Sequence, residues 1–521
     1  MEPTKRIERG ESIWRGPMND RRGGLARMST EIVIERDLAG AADIRGNPRA
    51  LWMLLVVTAG INYALYGFRA YLAPYIAQHF FAALGAATAQ RQADLVTSGF
   101  LALVYATPII GGYVADKILG ELRAVAISFW LAMVALLLMA LPSLLGFEVG
   151  LALFAMAHGL NIPLTVLIGR NYADTDPRRE GAYTLFYLAI NLGAFLAPFV
   201  CADFVAGHFG YRWGFIASAA GAALAAVVFQ AHHYRLRPVV PRGEHLRGPK
   251  AAVWVVGAIA VLTYPAALLL SSPQVLSVLM YALMGLLVLY FSVNCIRRGD
   301  RVQTQRYLAL LLLFIALVLY WALSFQSVTS LNFFARDYVS APFNYTLFQA
   351  ANPLYILLFA PFLAMLWPWL ARRDQDPSTP RKFGIGLLFV TLGYGLLVLA
   401  VHYGGHDGKV EWWSLGGYYL FATLGELALM PIGYALVGLL AAPEESSLAM
   451  GGWFFGIALA SELAGWIATM TAAPAGAANG AHVGIAAYSH VYVQVFVLGG
   501  AVSVIFLLAA PWVSKLMHGV H

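Results

Sequence analysis

Residues 233–298 read HYRLRPVVPRGEHLRGPK and then AAVWVVGAIAVLTYPAALLLSSPQVLSVLMYALMGLLVLYFSVNCIRR. The first stretch, 233–250, carries Arg235, Arg237, Arg242, Arg247 and Lys250. Two apolar runs follow, 251–271 and 274–296, joined by the uncharged turn Ser271-Ser-Pro-Gln274. Crossing the hydrocarbon core of a bilayer takes ~20 apolar residues in a helix. The stretch therefore reads as a basic cytoplasmic linker followed by a hairpin of two membrane helices.

Working outward, six comparable runs precede the linker, at 50–79, 92–115, 122–142, 147–170, 181–206 and 212–232. Six more follow the hairpin, at 306–335, 343–371, 382–403, 413–441, 447–471 and 490–516. Fourteen spans in a 6+2+6 plan predict an all-α polytopic membrane protein. Its expected parts are a six-helix bundle (50–232), the linker (233–250), an inserted helical hairpin (251–304) and a second six-helix bundle (305–516). Residues 1–49 and 517–521 are tails, the first polar, with no apolar core of a signal peptide and with Met28 as a second candidate start. Pro108, Pro163, Pro198, Pro353, Pro361 and Pro431 lie inside spans and predict bends, because proline removes a backbone hydrogen bond.

Composition agrees. Of the 521 residues 60% are hydrophobic and only 12% are Asp, Glu, Lys or Arg. Soluble domains carry about 25% charged residues, so a soluble enzyme, a nucleic-acid binder and a disordered chain are excluded. The net charge of +7 reflects topology. The tail, Lys117, Arg123, Arg170, Arg178, Arg179, the linker, Arg297, Arg298, Arg301, Arg306, Arg372, Arg373, Arg381, Lys382 and Lys515 fall on one side. Only Arg69, Arg91, Arg212, Arg336 and Lys409 fall on the other. The positive-inside rule puts both termini in the cytoplasm. Cys201 and Cys295 sit in separate apolar runs and read as packing residues, with neither a disulfide framework nor a metal site implied. No GxxxxGK[ST] is present, so neither ATP nor another cofactor is expected.

Two bundles around a midplane site are the logic of alternating-access transporters. The loop Gly112-Gly-Tyr-Val-Ala-Asp116-Lys117-Ile-Leu-Gly120-Glu-Leu-Arg123 supports that reading. Its glycines permit a tight turn, and Asp116 and Arg123 can form gating ion pairs.

Several segments resemble the proton-dependent oligopeptide transporter (POT) family of the major facilitator superfamily. They are Leu65-Tyr66-Gly67-Phe68-Arg69-Ala70, Tyr105-Ala-Thr-Pro108 and Phe186-Tyr187-Leu-Ala-Ile-Asn191-Leu-Gly193-Ala-Phe-Leu-Ala-Pro198, the last preceded by Asp176-Pro-Arg-Arg179. Gln349-Ala-Ala-Asn352-Pro353, Leu424-Gly425-Glu426-Leu427-Ala-Leu-Met-Pro431 and Trp453-Phe454 complete the set. The resemblance implies the major facilitator fold, a bacterial cytoplasmic membrane location and proton-coupled uptake of di- and tripeptides. It also implies pocket roles for Glu426, Tyr66, Tyr105, Asn191, Asn352 and Trp453, with Tyr63 and Tyr187 nearby and Glu426 facing the substrate amine.

The sequence departs from the family at three sites. The Glu-x-x-Glu-Arg-Phe motif of the first helix reads Thr58-Ala-Gly-Ile61-Asn62-Tyr63. The fourth-helix lysine falls at Ile162, and Phe-Glu-Gln of the seventh helix becomes Ser324-Phe325-Gln326. The resemblance ties these groups to proton coupling and to gripping the peptide carboxylate. Asn62, Ile162, Phe325 and Gln326 are thus substrate-site candidates of altered chemistry. The expected substrate is a peptide-like or amine-bearing molecule without an obvious cation for its carboxylate.

An ionisable group at membrane depth costs roughly 2.5–3.5 kcal/mol on insertion scales and is a functional candidate by default. Glu426, Glu462 and His158 are the mid-span cases, and so the candidates for proton coupling. Each has a packing alternative: a neutral acid bonded between helices, or a satisfied core histidine. Glu462 is nine positions from Trp453, about half a turn round the axis at 100° per residue, so it is expected to face away from any cavity Trp453 faces. Arg69, Asp94, Asp203 and Arg170 read as span-end groups. Two rival classes remain. A non-transporting receptor on a transporter fold would also lose coupling residues. A membrane enzyme would need a catalytic cluster, and His232, His233, His402, His406 and His482 lack ligand spacing.

Overall fold

The computed structural model describes residues 46–173, 175–240, 249–404, 408–472 and 481–519. Most of the N-terminal tail, the linker core 241–248, His406 and the last two residues lie outside the described residues.

The N-terminal bundle contains α1 (Arg49–Arg69), α2 (Leu72–His79), α3 (Ala86–Val114), α4 (Glu121–Met139), α5 (Leu144–Gly159), α6 (Pro163–Arg170), α7 (Arg178–Ala197) and α8 (Tyr211–His232). The hairpin is α9 (Pro249–Leu270) and α10 (Pro273–Arg298). The C-terminal bundle contains α11 (Arg301–Ser324), α12 (Ser330–Tyr338), α13 (Ala351–Ala371), α14 (Thr379–Gly404), α15 (Trp412–Leu440), α16 (Ser446–Thr469) and α17 (Ala481–Leu516). Thirteen helical segments among the described residues are long and apolar enough to cross a membrane. The 29-residue α15 is the fourteenth segment of the plan. One short parallel pairing, β1 (Val339–Ser340) with β2 (Val410–Glu411), ties two loops together.

Several spans are broken. The first breaks at Ala70–Tyr71, between α1 and α2. The fourth breaks after Gly159 and restarts with Pro163 as the first residue of α6, where a missing N–H costs nothing. Pro198 opens a wide-turned π segment, Pro198–Ala206, that continues α7. Pro108, by contrast, sits within continuous α3. The seventh span passes through a 3-10 turn, Phe325–Val328, between α11 and α12. Boundaries also move from the sequence reading: α3 begins at Ala86 and α17 at Ala481.

Glycine sets the closest approaches. A Cβ on Gly193 of α7 would lie 2.1 Å from the Ala59 carbonyl oxygen of α1. One on Gly111 of α3 would lie 2.2 Å from the Gly159 oxygen of α5. These contacts exclude any larger residue, as is usual between membrane helices that pack backbone to backbone.

The hairpin straddles both bundles. Ser271 donates to Glu148 of α5 at 2.8 Å. Ser277 donates to Glu462 of α16 at 2.7 Å, and Asn294 donates to Glu445 at 2.6 Å. Between the bundles, α3 lies along α16 and α7 approaches α13. Three side-chain hydrogen bonds cross from bundle to bundle toward the end away from the basic loops. Gln90 donates to Tyr488 and Thr471, and Asn332 donates to the Ala70 carbonyl in the break after α1.

Candidate functional site

A cavity of about 60 Å³ lies between the bundles. Tyr66 and Arg69 of α1 and Tyr105 of α3 reach it from one side. Trp321, Phe325, Gln349, Asn352, Tyr418, Tyr419 and Glu426 reach it from the other. The break after α1 puts Arg69 here. The span continues into α2, so Arg69 is 9% exposed and deep in the fold, not at a span end in contact with water. This corrects the sequence reading of Arg69 as a span-end group.

Arg69 stacks over the Tyr66 ring, its guanidinium carbon 4.8 Å from the centroid. Its Nε has no hydrogen-bond partner within the protein. Glu426 and Tyr419 line the same cavity from the other bundle. Asn352 donates to Glu426 Oε2 at 2.9 Å and to Thr423 Oγ1 at 3.0 Å, which fixes the carboxylate. A cation on one bundle and a carboxylate on the other, neither used up by the other, can hold the two ends of a zwitterion. The walls are aromatic. Tyr105 and Phe325 face each other across the bundles at 5.5 Å, and Trp321 lies 5.0 Å from Phe325. The buried Trp321 Nε1 also has no partner within the protein.

The structure brings together Tyr66, Tyr105, Asn352, Phe325 and Glu426 from the sequence candidates. It places the others elsewhere. Asn62 donates to Thr58 on its own helix at 2.9 Å, and Asn191 donates to Tyr187 at 2.9 Å. Gln326 lies behind Phe325 and donates to the Ala464 carbonyl of α16 at 2.9 Å. Ile162 sits at the break of span four, its Cγ2 near Gly112. His158 Nδ1 is buried without a partner and does not border the cavity. Trp453 is buried against Gly433 and Phe383. Its other side borders a larger apolar crevice of about 350 Å³ between α10, α11 and α16, outside the central cavity. Glu462 also faces away from that cavity, on the hairpin side.

In the loop after α3, Gly120 has φ 83°, which glycine alone adopts without strain. Asp116 is exposed in the wide turn Ala115–Leu119, and Arg123 is half-buried in the first turn of α4. Glu121 beside them pairs with Arg170 at the end of α6. Asp176 accepts from the Arg178 backbone and guanidinium at the start of α7. Those bonds hold its carboxyl below the usual range.

Arg69 lines the cavity but is absent from the sequence-based candidates. The signal that could have found it is the apolar run continuing past it to His79, which makes it a mid-span charge.

Two six-helix bundles with a lined cavity at their interface define a transporter architecture of the major facilitator type. The chain belongs to the POT family, whose model matches residues 123–488. The dipeptide and tripeptide permease B of Aeromonas hydrophila is 28% identical over 483 residues, 90% of this chain and 94% of that one. The dipeptide and tripeptide permease A of Chromobacterium violaceum is 28% identical over 484 residues, with 90% and 94% covered. A crystal structure of a peptide transporter POT in complex with alafosfalin superposes with a TM-score of 0.76 at 28% identity, covering 93% of this chain and 99% of that one.

Proposed function

We propose that this protein is a secondary active transporter of short peptides, or of small molecules presenting a peptide's amine and carboxylate, working by alternating access. It resides in the bacterial inner membrane with both termini cytoplasmic, as the basic loops require. The observation that carries the reading is Arg69 and Glu426 in one cavity, on opposite bundles, with Asn352 orienting the acid. The substrate amine pairs with Glu426 and its carboxylate with Arg69. The aromatic walls accept varied side chains, because rings offer broad surface without a fixed polar pattern. Holding one substrate end on each bundle favours the arrangement in which the bundles close around it.

The cavity of about 60 Å³ is well below the roughly 300 Å³ of ordinary ligand pockets, so entry requires the bundles to part. Proton coupling accompanies transport, with Glu426 as its cavity-facing carboxyl.

Reconstitution tests the proposal. Proteoliposomes are expected to take up alanyl-alanine, faster with an acidic outside, and Glu426→Gln is expected to abolish that uptake. Proton-driven uptake unaffected by Glu426→Gln would overturn this assignment. Binding by thermal shift without any flux would favour a receptor instead.

A further inference from the structure

Two buried carboxyl groups lie outside the substrate cavity, along the seam where α3 and α16 run antiparallel between the bundles. Glu462 of α16 is 2% exposed. Its Oε2 accepts from Ser277 of the hairpin helix α10 at 2.7 Å, and Ser277 in turn accepts from Trp466 Nε1 at 3.0 Å. Its Oε1 has no partner and faces Gly99 of α3, where a Cβ would lie 3.6 Å away. Asp94 of α3 is wholly buried and neither of its oxygens has a partner. Gln90, one turn earlier, is the donor beside it and is bonded to Tyr488 and Thr471 instead.

Among the described residues the surroundings supply no counter-charge. Tyr281 of α10 is the other titratable group facing Glu462. Tyr488 and Tyr492 of α17 face Asp94. None of the groups acting on either acid is a cation. At 1.5 Å rise per residue, Asp94 lies about 12 Å from the start of α3 and Glu462 about 10 Å from the end of α16. Both are therefore at similar depth, reached from the end away from the basic loops. That end also carries the Gln90 and Asn332 bonds between the bundles.

We propose that Asp94 and Glu462 are two separate proton-binding groups that together latch this seam. Burying an ionised carboxyl without a cation is prohibitively costly, so each acid carries a proton while the seam is closed. Alternating access, as proposed above, parts α3 from α16 at this end and admits water. Each O–H bond then breaks, and its proton passes to that water. Closing reverses the exchange, with one proton taken from the same face by each carboxylate. Low pH on that face favours the closed seam, and high pH favours the open one. The two groups bias the conformational equilibrium without any proton having to cross, and they act independently of Glu426.

The test places spin labels at Leu84→Cys and Met470→Cys, which are both exposed at that end, in full-length protein with Cys201→Ala and Cys295→Ser. Label-to-label distances are measured against pH. Each titrating proton changes the closed-to-open ratio by up to about tenfold per pH unit, so two give up to about a hundredfold. Glu462→Gln and Asp94→Asn are each expected to lower that slope by one proton, and the double variant to leave only the smaller pH dependence that Glu426 contributes. Amides mimic the neutral acids in shape, so the variants should fold. Ser277→Ala, which keeps both acids, is expected to move the midpoint of the titration. A pH-independent distance in the parent protein, or a slope unchanged in the double variant, overturns the proposal. Absent peptide flux with the titrating distance retained would overturn the transport reading and leave the latch standing.

Discussion

Arg69 shows how one residue's depth decides its chemistry. A guanidinium at a span end snorkels into water, whereas the same group held at 9% exposure against Tyr66 keeps its hydrogen-bonding capacity for a ligand. Hydrogen bonds to charged groups are worth about 1.5–3 kcal/mol, or roughly 10- to 100-fold in affinity. Arg69→Gln is therefore expected to raise the KM for a dipeptide by at least about tenfold and to change that for the corresponding dipeptide amide little. Equal losses for both ligands would show that Arg69 does not contact the carboxylate. Asn352→Ala removes the donor that orients Glu426. Leaving a buried acceptor unpaired costs about 1–3 kcal/mol, so thermal unfolding should shift downward together with loss of uptake. Glu426, which lines the cavity, stood out in the sequence as a candidate through its charge in an apolar run. Arg69 did not, because a charge beside a break looks like a terminus until the next helix is seen to continue the span.

At the scale of elements, breaks and close contacts do the positioning. The α1–α2 break leaves the Ala70 carbonyl free to accept from Asn332 and aims Arg69 into the cavity. The 3-10 turn after α11 presents Phe325 inward, while Gln326 is pinned to the Ala464 carbonyl of α16. Pro163 signals the break in span four. No proline signals those at Ala70 or Phe325, where tertiary bonds take up the freed backbone groups. The glycines of the quoted motifs have a plain steric reading. Gly193→Val would drive a side chain into the Ala59 carbonyl, 2.1 Å from the first added carbon. Overpacking of this kind costs about 1–3 kcal/mol or more, so fluorescence-detected gel filtration should show loss of the monodisperse peak and an earlier thermal midpoint. A wild-type profile would mean that α1 and α7 can separate freely.

For the molecule as a whole, the two bundles are joined at one end by Gln90, Tyr488, Thr471, Asn332 and the Ala70 carbonyl. The hairpin touches both through Glu148 and Glu462. If transport requires that end to open, joining Ala70→Cys to Asn332→Cys with a short cleavable thiol cross-linker should abolish uptake, and cleavage should restore it. Undiminished flux in the cross-linked protein would rule out movement at this end as part of the cycle.

The amino-acid sequence by itself determined that the chain is an all-α protein crossing a membrane many times, and it laid out the apolar runs as 6+2+6. Those properties follow from run length and apolarity, which are local, and from the placement of Lys and Arg in loops. It also singled out Glu426, because one charge in an apolar run is conspicuous without any neighbour. Only the tertiary structure decided which polar groups meet. Arg69 joins Glu426, Trp453 faces the crevice behind α10, Gln326 turns to α16, and Asp94 and Glu462 come to lie on one seam. The physical reason is that helix periodicity sets only the relative directions of side chains along one helix. What each direction encounters depends on breaks, tilts and glycine contacts that bring distant segments together.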